Sequence, residues 1–331
     1  MKKYMIMSMA VIALLFASCK NEDISISREV SFEVNPYGVV RGFATYEVTS
    51  GDLASMYSGD KLRISLLVYD EKGDLVASET QLLDAYSSTL NCTAELSDGN
   101  YTVIAISEVK DGRGEDYDCW KITGTNRLAD IKITDQGYIG SKDKMLGIGH
   151  ERISVRSGQT THSIAMEPAG SLLIINDNYI HYWNDVYRYL ILSDKSSNSC
   201  TFNMDGTFNT FVDESPLSYD WIQHSIKPDD YTGNVYYTYH FVLPLGNTNV
   251  AWIADAYNED GNLERLLLND PVSYDVKSGR VYQFDCSYPS LEWTVTELSG
   301  AKDVPSIEGK DLSLSGERER IPNKLSEGFT K

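Results

Sequence analysis

The sequence predicts an all-β chain, and three observations carry that prediction. Beyond the amino-terminal segment there are no long apolar stretches at helical spacing. In their place stand short runs rich in Val, Ile, Thr and Tyr, in which apolar and polar residues alternate. Gly, Asn and Asp punctuate those runs where turns need them. The order of elements in the first half recurs in the second, which points to two tandem β-sandwich domains. Because Asp-Gly turns are common, the order carries this reading rather than the turns themselves.

Residues Met1 to Cys19 read as a bacterial lipoprotein export signal. Lys2 and Lys3 form a basic start, Met5 to Phe16 an apolar run, and Ala17-Ser18 small residues before Cys19. The apolar run is shorter than the roughly 20 residues a membrane-spanning helix needs. In a lipobox the Cys19 thiol is lipidated and becomes the new amino terminus, although Phe16 stands where Leu is commoner. The alternative is a secreted protein cut at an ordinary site. Lys20-Asn21-Glu22-Asp23 resembles the acidic tag that sends Bacteroidetes lipoproteins to the outer face of the outer membrane; a plain flexible tether would use the same residues. The expected location is the outer membrane, lipid-anchored and facing outward.

The divisions expected are a signal over 1–18, an acidic tether over 19–27, a first sandwich over 28–168 and a second over 169–298. In the first, Leu62, Ile64, Leu66 and Val68 alternate with Arg63, Ser65 and Tyr69, placing one face in a core and the other toward solvent. Asp70-Glu71-Lys72-Gly73 then turns into a strand over Asp74–Thr80, and Asp98-Gly99-Asn100 leads into the apolar run Tyr101–Val109. Thr160–Met166 closes this half, and Glu167-Pro168-Ala169-Gly170 interrupts pairing. The second half offers strands at Ser171–Ile175, Val186–Leu192, Asn234–Leu243, Trp252–Tyr257, Asn262–Leu268 and Arg280–Tyr288. Tyr182 to Asn184 and Thr210 to Ser225 read as an aromatic insertion of loop or local helix. Ser299 to Lys331 loses its aromatics and is expected to be a disordered polar tail.

Several functions are disfavoured. A net charge of −19 repels nucleic acid and anionic lipid. His150, His162, His181, His224 and His240 are scattered, and no zinc spacing, GxSxG elbow or phosphate loop occurs. Gly147-Ile148-Gly149 lacks the third glycine of a dinucleotide fingerprint. Neither a cofactor nor an enzymatic activity is expected. Asp111, Glu115, Asp116 and Asp118 read as a solvated loop, with calcium as the alternative. Cys92, Cys119, Cys200 and Cys286 are either disulfides, pairing Cys92 with Cys119 and Cys200 with Cys286, or buried thiols. Tyr237, Tyr239, Phe241 and Leu243 share a strand face that suits a core. Trp183, Trp221 and the outward Tyr236 are the candidate ligand surface.

The lipobox Cys19, the strand and turn from Leu62 to Gly73, and Leu96-Ser97-Asp98-Gly99-Asn100-Tyr101-Thr102-Val103 together resemble fimbrillin-family lipoproteins of Bacteroidetes, most of all minor fimbrial anchor subunits. The resemblance implies two transthyretin-like β-sandwiches and docking by strand complementation. Its implied partners are a fimbrial shaft subunit, joined by strand addition, and the outer membrane, reached through the lipid on Cys19. Polymerising relatives use a carboxy-terminal donor strand, and the 299–331 tail has the right place but a low apolar density for one. Arg28 and Arg41 lie where some relatives are trimmed, but cleavage there would defeat an anchor at Cys19. A surface glycan-binding lipoprotein is the alternative, and a glycoside hydrolase a more distant one.

Overall fold

The computed structural model describes residues 27–43, 56, 58–115, 118–136, 144–156, 161–177, 186–194, 199–211, 222–223, 235–243, 246–257, 263–267, 272–287, 292–298 and 309–311. The first half contributes β1 (Ser27–Asn35), the short helix α1 (Tyr37–Gly42), β2 (Lys61–Tyr69), β3 (Leu75–Leu83), β4 (Leu90–Ser97), β5 (Gly99–Lys110), β6 (Trp120–Thr123), β7 (Lys132–Asp135), β8 (Gly147–Val155), β9 (Thr161–Ala165) and β10 (Glu167–Pro168). The second adds β11 (Ser171–Asp177), β12 (Val186–Asp194), β13 (Ser199–Phe202), β14 (Phe208–Phe211), β15 (Ile222–Gln223), β16 (Val235–Val242), β17 (Gly246–Tyr257), β18 (Leu263–Leu267), β19 (Val272–Val276), β20 (Val281–Ser287), β21 (Glu292–Leu298) and β22 (Gly309–Asp311). The chain is all-β, as its alternating runs predict.

Two sheets, ordered β4-β1-β9 and β10-β8-β5-β2-β3, use strands of the first half alone. Two more, β21-β20-β11-β16-β22 and β15-β12-β17-β18 with β19 also on β17, use the second half alone. β1 is central in its sheet, antiparallel to β4 from Ser27↔Ser97 to Val34↔Leu90 and parallel to β9 from Ser31↔Thr161 to Asn35↔Ala165. Its period-two pattern shows why it sits there: Val30, Phe32 and Val34 are buried, and the residues between them are not. Asp70 shapes the β2–β3 turn by accepting the Lys72 and Asp74 amides at 2.8 and 3.0 Å, while Gly73 takes a φ of 79°.

The fifth sheet, β14-β13-β7-β6, draws on both halves. The β13–β14 hairpin of the second half pairs with β7 of the first through Ser199↔Thr134, Cys200↔Ile133 and Thr201↔Lys132, and the Thr201 hydroxyl donates to the Ile131 carbonyl at 2.7 Å. Residues Thr210 and Phe211, expected in a loop or helix, belong to this hairpin, and Ile222–Gln223 forms β15. Phe208 packs against the core, so the strand is held by tertiary contacts that its own short sequence does not signal.

That composite sheet corrects the reading of the second face of β2. Tyr69, expected toward solvent, is fully buried, and its hydroxyl donates to the Thr125 carbonyl at 2.8 Å. Every residue of β5 from Tyr101 to Val109 is buried. Gly206, in the β13–β14 turn at φ +87°, lies so close to Thr102, His150 and Ile104 that a Cβ there would stand 3.1 Å from the Thr102 methyl. A sheet covered on both faces has no solvent face, which is why alternation fades along β5.

The halves also meet through aromatic packing. Phe241 of β16 lies edge-on to Phe43 at 6.0 Å and to Trp120 at 6.1 Å, and all three are buried in one continuous core. Around the crossover, the Ala169 amide donates to Leu146 at 2.9 Å, Gly279 to Gly170 at 2.8 Å, and the Ser278 hydroxyl to Ala169 at 2.9 Å. Gly170 is required because a side chain would collide with the Val242 carbonyl and the Phe241 ring. Among the described residues, no helix is long and apolar enough to cross a membrane.

Candidate functional site

The strand edge formed by β16 is the feature best suited to receive another chain. On one side β16 pairs antiparallel with β11 from Ser171↔Val242 to Asp177↔Tyr236. On the other it pairs only through Val235↔Gly309, Tyr236↔Lys310 and Tyr237↔Asp311, parallel to β22 from the polar tail. Thr238 to Val242 have no strand partner on that side among the described residues. Unpaired amides and carbonyls along a strand are a template for an added strand. The carboxy-terminal end of β16 is fixed, because Phe241, Val242 and Leu243 are buried. This edge was not legible beforehand, since Gly309-Lys310-Asp311 carries no apolar alternation.

A charged cluster lies at the other end of the first half. Arg63 pairs with Glu108 directly across the β2–β5 ladder, and Lys110 pairs with Asp118. Asp118 also accepts the Asp111 amide at 3.0 Å, Asp111 pairs with Arg113 at 3.1 Å, and Asp60 accepts the Gly112 amide at 2.9 Å. Burial pushes the Glu108 carboxyl up to about 7, outweighing the attraction of Arg63 and Lys110. Asp111 and Asp118 are therefore not the solvated loop residues expected: both are buried, and each has a cationic partner. That pairing also argues against the calcium alternative, because their charge is already met by protein cations. Among the described residues no group of three or more His, Cys, Asp or Glu side chains is arranged to hold a metal ion.

Of the expected site residues, the structure describes Tyr236 alone. Cys19, Trp183 and Trp221 lie outside the described residues, as do His181 and His224. Tyr236 falls within β16, opposite Asp177 and Lys310 in register. On the face shared with Tyr237 and Tyr239, Phe241 and Leu243 are buried, in keeping with a core stripe. Cys92 and Cys200 are free thiols, so neither expected disulfide forms. Cys200 is buried in the composite sheet, and desolvation pushes its thiol up to about 12; Cys92 is raised as well, by burial and by Glu79.

No protein-family model and no curated protein matches the chain. Among solved structures, a candidate polysaccharide-binding protein from Bacteroides thetaiotaomicron is 15% identical with a TM-score of 0.45, spanning 82% of this chain and 98% of the other. The tip fimbrial protein Mfa3 from Porphyromonas gingivalis, with C-terminal truncation, is 9% identical with a TM-score of 0.41, spanning 82% and 99%. A fimbrial assembly protein from Parabacteroides distasonis is 9% identical with a TM-score of 0.37, spanning 82% and 96%. Likenesses of this size leave the function of the chain to be argued from its own residues.

Proposed function

We propose that the protein is a lipid-anchored minor or anchor subunit of a surface fimbria, held in the outer membrane through Cys19 and joined to a shaft subunit by strand addition. The observation that carries the reading is the β16 edge, which is occupied over three residues by a parallel strand of the tail and is otherwise without a strand partner among the described residues. Parallel pairing is slightly weaker per residue than antiparallel pairing, so a longer incoming strand has a thermodynamic route to displace so short a segment. Each added residue would satisfy main-chain groups along Thr238–Val242 and set alternate side chains against the sheet face. The division into two sandwiches near Glu167-Pro168-Ala169-Gly170 is part of this proposal, as is the orientation that follows from it. With the lipid on Cys19 and β1 starting at Ser27, the first half stands next to the membrane and the β16 half farther along the chain.

The test is isolation of the affinity-tagged protein from mildly solubilised outer membrane, with unboiled samples resolved by denaturing electrophoresis. A ladder containing a second β-rich protein, lost when Thr238–Val242 is interrupted by Thr238→Pro and Tyr239→Pro, is expected. Recovery of monomer alone, under conditions that preserve a known fimbria, refutes strand docking. Cys19→Ala is expected to move the protein from the detergent phase to the aqueous phase.

A further inference from the structure

We propose that a cavity at the turn end of the first half binds the ring of a neutral saccharide. The cavity has a volume of about 380 Å³ and lies among the β2–β3 turn, the start of β5, β8 and the tip of the β13–β14 hairpin. Small-molecule sites range from about 300 to 1,000 Å³, so one or two sugar rings fit.

The lining alternates acceptors with donors. Asp70 and Glu71 supply carboxylates on one wall, with Glu71 accepting from the Asn100 amide at 2.6 Å. Arg152 and Ser154 line the cavity from β8, and both are exposed. Hydrogen bonds with Thr207 and, after them, the Arg152 charge lower the Asp205 carboxyl at the hairpin tip below its usual range. The buried Tyr101, 9% exposed, contributes a small aromatic edge, its hydroxyl tied to the Ser97 carbonyl at 2.8 Å. Met204, 48% exposed, adds an apolar surface opposite.

This arrangement depends on two glycines. Gly73 has a φ of +79°, and a Cβ there would stand 2.8 Å from the Met204 methyl; Gly206, at +87°, seats the same hairpin tip on Thr102. The second half thus supplies one wall of a cavity otherwise built by the first.

Ligand class follows from charge and hydrogen-bond chemistry. A sugar hydroxyl both donates and accepts, which suits carboxylates on one wall and a guanidinium on the other. An anionic ligand would face Asp70 and Glu71 on a chain of net charge −19, and a cationic one would face Arg152. A neutral polyhydroxylated ring with an apolar face satisfies every wall, and Tyr101 and Met204 offer that face its contact. The inference is independent of fibre docking, because the cavity shares no residue with the β16 edge.

The test uses the intact protein and ligand-observed saturation-transfer NMR with the methyl glycosides of glucose, galactose and mannose. Methyl glucuronide serves as the anionic probe and Nα-acetyl-lysine methylamide as the cationic probe. At least one neutral glycoside is expected to bind with a dissociation constant on the order of 1 mM, ordinary for a ligand of that size. Arg152→Ala and Glu71→Gln should each weaken it about tenfold without moving the melting temperature, and Met204→Ala should weaken it less. Three results overturn the proposal: no transfer to any neutral glycoside at tens of millimolar, preferential binding of the lysine probe, or binding undiminished in both polar variants. The electrophoretic ladder should be the same in all three variants, so this site and strand docking fail separately.

Discussion

Replacing Phe241 with Ala tests whether the two halves of the chain are one cooperative unit. Phe241 belongs to the second half, yet its edge-on partners Phe43 and Trp120 belong to the first, and all three are buried. Truncating a buried Phe costs about 3–5 kcal/mol through lost burial and the cavity left behind. The two aromatic pairs, at about 0.5–1.5 kcal/mol each, place this site at the upper end, about 5 kcal/mol. Domains are stable by only about 5–15 kcal/mol, so the loss is a large share of the total. With an unfolding entropy of about 2.1 cal/mol/K per residue over a cooperative unit of roughly 300 residues, the melting temperature should fall by about 8 °C. Hydrogen exchange read by mass spectrometry separates local from shared effects. Peptides from β5 and from β11 should lose protection together, because the core and the composite sheet span both halves. If β11 loses protection while β5 keeps its wild-type rate, the coupling argued from this junction is wrong.

Other outcomes follow from the same geometry. The folded state holds the Glu108 proton up to about pH 7, against 4.5 for the unperturbed group. It therefore binds more protons than the unfolded chain between those values, and its stabilising effect is full below the lower and lost as pH rises through the upper. The loss is about 3 kcal/mol, and urea unfolding at stepped pH should show the corresponding slope in wild type and a flatter one in Glu108→Gln. Gly206→Ala forces a side chain into a left-handed turn packed against Thr102 and should destabilise by about 1–3 kcal/mol in thermal melts. An unchanged melting temperature would mean that the hairpin tip is not seated there. Because Cys92 and Cys200 are thiols, a reducing agent should leave the melting temperature unchanged. A fall equivalent to about 2–5 kcal/mol would instead reveal a disulfide.

The composite sheet gives these predictions a common physical basis. It buries the outer face of β5, holds Cys200 out of water and brings Met204 over the cavity. The proposed tether at one end of the chain and the proposed docking edge at the other would need a stiff body between them for force to pass along a fibre. Two halves sharing a core and a sheet provide such a body, whereas a flexible linker would not.

Local sequence chemistry alone determined the all-β class, the Asp70–Gly73 turn and the inward stripe of Leu62, Ile64, Leu66 and Val68, because each depends on neighbours within one strand or turn. The short β13–β14 hairpin was hidden because the strand that β13 pairs with, β7, lies some 70 residues away, across the boundary between halves. Tyr69 and Glu108 were unreadable for the same reason: whether the second face of a sheet meets water is decided by what packs on it, and that layer comes from another part of the chain. The β16 edge and the cavity belong to the same class. An edge is defined by the partner a strand lacks, and a cavity by segments distant in sequence, so both are products of tertiary structure. Sequence periodicity reports which residues seek burial, and only the assembled fold decides what covers them.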